Sequence, residues 1–127
     1  MVLSPESRPE AAASPQVRTL VGGRGEHGHI DGLPSAALLH TPAGLAGLVS
    51  RSGILFSELG SHRIREYCRS TGVVRTVAGC GCGFQDGPAA SARFAFPHDL
   101  ALVRTVRGGS HVVVADTGND AVRVLHF

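Results

Sequence analysis

The chain has 127 residues, with 12 Lys and Arg against 10 Asp and Glu. Its net charge of +2 excludes the strongly basic surface that would announce nucleic acid or a membrane. Its three cysteines, Cys68, Cys80 and Cys82, are too few and odd in number, which excludes a disulfide scaffold and fits a reducing compartment. No apolar run reaches the about 18–20 residues of a bilayer span. The N-terminus has no apolar signal core and carries Glu6 and Glu10, so no membrane is expected and the expected location is cytoplasmic.

In chain order, residues 1–16 are rich in Pro, Ser and Ala and bury little, so a disordered leader is expected. Val17–Val21 predicts a first strand, ended by Gly22-Gly23. A glycine-rich loop with Glu26, His27, His29 and Asp31-Gly32 follows. Ala43–Val49 predicts a second strand, Ser50–Gly53 a turn, Ile54–Ser57 a third strand and His62–Cys68 a fourth. Val73–Ala78 predicts another outer strand. Near the end, the apolar run Val112–Ala115 stops at Asp116-Thr117-Gly118-Asn119, and alternating Val and Arg resume to Val124. That pattern predicts strand, tight polar turn, strand. No segment spaces apolar residues by three and four, so a helical repeat is excluded.

The second half restates the first. Val74-Arg75-Thr76-Val77-Ala78-Gly79 matches Val17-Arg18-Thr19-Leu20-Val21-Gly22, and Asp86-Gly87 matches Asp31-Gly32. Pro97 matches Pro42, and the Asp116 turn has a weaker copy at Ser57-Glu58-Leu59-Gly60-Ser61. Self-similarity at this spacing signals an array of supersecondary units, and short strands in fours suit propeller blades.

The runs Val74–Gly81, Asp86-Gly87, Ala92–Phe94, Pro97–Ala101 and Val114–Arg123 together resemble the NHL repeat. The first copy departs from that pattern at Ser57–Ser61 and reads as a degenerate blade. The resemblance implies an all-β chain of two four-stranded NHL-type propeller blades, over residues 17–73 and 74–127. Two blades cannot close on themselves, since a ring needs about 4–8. The chain is therefore expected to be part of a longer propeller. The alternative is a six-bladed ring of three copies, each lending Val17–Val21 to its neighbour's last blade.

Several constellations carry chemistry at first sight. Gly79-Cys80-Gly81-Cys82-Gly83 looks like a phosphate loop, but no helix pattern follows it, so it reads as a turn between units. Cys80 and Cys82 stand one residue apart, which is not zinc spacing. His27, His29 and Asp31 alternate and could face one way in an extended loop, but the second copy has Phe84 there, so they read as a solvated loop. His98-Asp99 sits at the start of an expected inner strand, with no nucleophile or third group to complete a catalytic set. Arg63 and Arg65, with Arg69 and Arg75 near, form a basic cluster like the RNA-binding face of some NHL propellers, although Arg65 and Arg123 also share the repeat's own Arg position.

The expectation is a non-catalytic repeat-propeller module that binds a protein partner, without metal or cofactor. His98, Asp99, Arg63 and Arg65 are the candidate contacts. RNA binding through the Arg-bearing face is the alternative.

Overall fold

The computed structural model describes residues 14–48 and 53–127. Most of the expected leader and the expected turn up to residue 52 lie outside the described residues. Among the described residues, seven strands form two antiparallel sheets. The first sheet runs β1 (Pro42–Leu48), β2 (Gly53–Glu58), β3 (Arg63–Cys68), β4 (Val74–Ala78), in that spatial order. The second runs β5 (Pro97–Arg104), β6 (Ser110–Asp116), β7 (Ala121–His126), also in order. A 3-10 turn over Thr117–Asn119 joins β6 to β7. Among the described residues no helix is long and apolar enough to cross a membrane.

The strands follow from local pattern. In β6 the inward positions Val112, Val114 and Asp116 alternate with less buried residues, the period of a pleated strand. β2 is buried at nearly every position because it is covered on both faces. One core joins the two sheets: Leu48, Leu55, Ile64 and Ala78 from the first pack with Leu100, Val112, Val114 and Leu125 from the second, over Ala92 and Phe94. A smaller cluster holds Ala37, Phe56 and Val74 on the other side, with Val21, Leu39 and Tyr67 against it. The sheets approach closely where β1 meets β5. A Cβ on Gly44 would stand 2.5 Å from the Asp99 Cα, so only glycine fits there.

Three expectations are corrected. The sheets are open, four strands and three, and do not form a propeller or a six-bladed ring. The physical reason is that, among the described residues, no further strand pairs with the outer strands of either sheet, and two sheets cannot surround an axis. The second unit has three strands rather than four. Finally, Val17–Val21 is irregular chain: among the described residues no neighbouring strand supplies its ladder bonds, and Val17 is fully exposed.

Candidate docking site

Two arginines pin the loop that precedes each sheet, and they do so in the same way. Arg65 on β3 donates from Nη1 to the Leu38 carbonyl (2.6 Å) and to Glu58 Oε2 (2.9 Å). Its Nη2 donates to the Ile30 carbonyl (2.9 Å) and to Asp31 Oδ1 (3.0 Å). Arg123 on β7 repeats each bond one unit later. Its Nη1 reaches the Arg93 carbonyl (2.5 Å) and Asp116 Oδ2 (2.8 Å), and its Nη2 reaches the Gln85 carbonyl (2.7 Å) and Asp86 Oδ1 (2.9 Å). The Arg123 guanidinium also lies between the rings of Phe84 and Phe94, 4.9 and 4.7 Å from their centroids.

The carboxylate at the end of each second strand works alike too. Glu58 Oε2 accepts from the His40 amide (3.0 Å), and Asp116 Oδ1 accepts from the Ala95 amide (2.8 Å). Ser61 Oγ donates to Glu58 Oε1, while Asn119 Nδ2 donates to Asp116 Oδ2. Thus the divergent Ser57–Ser61 turn keeps the charge pattern with a Glu and a Ser. A longer carboxylate replaces Asp, and a hydroxyl replaces the Asn amide.

The units differ at one place. In the first, Asp31 receives the Thr76 amide at Oδ2 and the Thr76 hydroxyl at Oδ1, each at 3.1 Å. The next residue, Gly32, bonds both ways with Val74, at 2.9 and 2.8 Å. Strand β4 is thereby held to β3 and to the loop in front of it. In the second unit Asp86 is 83% exposed and, among the described residues, accepts only from Arg123. Gly87 bonds to no backbone group among the described residues. Its φ of 127° is close to the 134° of Gly32. Beside them opens a cleft of about 610 Å³, floored by Ala92, Phe94 and Leu125 and bordered by Phe84, Val122 and Val124. Among the described residues β7 is the outer strand of its sheet, and its amides and carbonyls on that side have no neighbouring strand.

The candidate contacts read from sequence do not come together. Arg65 is fully buried and used internally. Arg63 donates to the Ser61 carbonyl. His98 and Asp99 are exposed on β5, and Asp99 Oδ1 caps the Leu100 amide at 2.8 Å. Arg75 pairs with Glu66 at 2.8 Å. The expected RNA-binding face is therefore corrected: Arg65 is withdrawn into the interior and Arg75 pairs with Glu66, so these two do not extend a free basic row. His27 stacks on His40 at 4.4 Å, and Asp31 is committed to Arg65 and Thr76. Among the described residues no group of three or more His, Cys, Asp or Glu could hold a metal.

Cys68, the last residue of β3, was not read from sequence as a reactive thiol. The Ser70 hydroxyl, 3.3 Å from its sulfur, and then the Thr71 groups lower the thiol to about 7. The sequence signal was present in the Cys-x-Ser-Thr order, but only the turn after β3 folds those hydroxyls back onto the sulfur.

A scan against family models finds no match, and a search of curated proteins finds no relative. The NHL resemblance is corrected accordingly, since neither a family match nor a closed propeller supports it.

Proposed function

We propose that this chain is a non-enzymatic protein-binding module that takes up an extended polypeptide segment along the free edge of β7. The observation that carries this reading is the contrast between the two units. Among the described residues, the place that β4 fills beside β3 is open beside β7, and it is provided with an exposed carboxylate, a glycine whose φ matches that of Gly32, and an apolar cleft. Strand addition draws affinity from main-chain bonds and specificity from pockets for alternate side chains. The three free thiols support a reducing, cytoplasmic setting.

The test is a proline in the edge. The Cys68 amide points outward to Val73 at 2.9 Å, and counting back by two places the Glu66 amide on the same side. The counterpart of Glu66 is Val124, since Arg65 corresponds to Arg123. Proline is tolerated at an outward-facing edge position but removes the donor an added strand needs. Intact chain is passed over an immobilised panel of nonapeptides rich in Val and Thr. Salt-tolerant capture that Val124→Pro abolishes is expected. Capture that survives Val124→Pro sinks the reading.

A further inference from the structure

We infer that the segment which docks on β7 is Val17–Val21 of a second copy of this chain. The inference rests on the strand-docking reading above and names its occupant. The template is β4 itself: Val74-Arg75-Thr76-Val77-Ala78 occupies the place beside β3, and Val17-Arg18-Thr19-Leu20-Val21 is its sequence counterpart.

The segment is prepared on one side and bare on the other. Val21 packs on the cluster of Ala37, Phe56 and Val74, as Ala78 packs on the cluster of Ala92, Phe94 and Val114. Ala78 belongs to a strand that also pairs with β3; Val21 belongs to a segment with no strand beside it. Val17 is fully exposed and Leu20 is 41% exposed, whereas Val74 is fully buried. The segment's bare edge and the bare edge of β7 are the two surfaces that β4 and β3 bring together within one chain.

The register follows from the first sheet. Arg65 stands opposite Thr76, Glu66 opposite Arg75 and Tyr67 opposite Val74. Transferred by correspondence, Arg123 stands opposite Thr19, Val124 opposite Arg18 and Leu125 opposite Val17. The Thr19 amide and hydroxyl then meet the Asp86 carboxylate, as Thr76 meets Asp31. Val17 bonds with Gly87 and fills the cleft over Ala92 and Phe94. One contact is not reproduced. Arg75 pairs with Glu66, but Val124 replaces Glu66, so Arg18 gains no ion pair. The contact is head-to-tail, using a different surface on each copy, and needs no closed ring.

A fluorescein-labelled peptide of residues 15–23 is titrated with the intact chain and followed by anisotropy. Saturable binding is expected. The Thr19→Val peptide, which keeps the β-branched shape and loses the hydroxyl, should bind about tenfold more weakly, as should the parent peptide to the Asp86→Asn chain. In the absence of peptide, the intact chain should show a mass that rises with concentration, and Val124→Pro should hold it at one copy. Equal binding of the parent and Thr19→Val peptides overturns the inference, as does a mass that stays at one copy at every concentration. Failure of this peptide while other nonapeptides are still captured in a Val124→Pro-sensitive way rejects the second copy as occupant and leaves the docking edge standing. Capture indifferent to Val124→Pro removes both.

Discussion

Arg65 and Glu58 meet at 2.9 Å, and neither side chain has any exposed surface. A buried pair of this kind adds little over a well-packed apolar pair, but it is damaging to break, because the remaining charge stays buried. Arg65→Met should cost about 3–5 kcal/mol in urea unfolding. Combining it with Glu58→Gln should recover part of that loss. Glutamine keeps one oxygen to accept the His40 amide and offers its NH2 to the Ser61 hydroxyl, without a stranded charge. Asp86→Asn should cost only about 0–1 kcal/mol, since Asp86 is 83% exposed. A double variant no more stable than Arg65→Met would refute the charge explanation.

Gly44 and Gly47 share β1 but have opposite surroundings. A Cβ on Gly44 would meet the Asp99 Cα at 2.5 Å, while one on Gly47 would meet nothing within 4 Å. Gly44→Ala must push β1 from β5 and should cost about 1–3 kcal/mol. Gly47→Ala should be neutral or stabilising, because it reduces the freedom of the unfolded chain. Thermal melts of the two variants compare them directly. Equal losses would show that glycine matters here through backbone freedom rather than sheet spacing.

His62 links the first sheet to the chain entering the second. Its Nδ1 accepts the Phe96 amide at 3.0 Å, and the two rings meet edge to face. Burial and then the neighbouring Arg63 hold its pKa below 6.5, against the opposing pull of Asp116. With the folded value below the unfolded one, the unfolded chain takes up the proton first as pH falls. The stabilisation from neutral His62 is therefore complete above pH 6.5 and is lost as pH falls through the window beneath it. In urea melts across that window, His62→Gln should show a flatter dependence than the parent chain. Parallel curves would rule out His62 as the titrating group.

Cys68 is the thiol expected to react most readily near neutrality, because hydroxyls from Ser70 and Thr71 lower it to about 7. Iodoacetamide modification mapped by mass spectrometry should rise with a midpoint near that pH. Ser70→Ala should move the midpoint upward. An unmoved midpoint would show that Ser70 is not the cause.

Much of the architecture was legible in single residues. Alternation at Val112 and Val114, and the Asp116–Asn119 turn, located β6 and β7 within a residue or two, because strand and turn signals act over a few positions. The correspondence of Arg65 with Arg123 was visible as a shared position. Its purpose was not, since the four acceptors of each guanidinium come from segments up to 38 residues away.

What the sequence determined alone was the strand order, the polar turns and the pairing of like residues between the two halves. Tertiary structure decided the rest. It withdrew Arg65 from the surface and, among the described residues, left Val17–Val21 without a ladder and the outer edge of β7 without a strand beside it. Whether a strand-forming segment becomes a strand depends on a partner edge within reach, and how many sheets close around an axis depends on how many there are. Neither quantity is carried by local propensity.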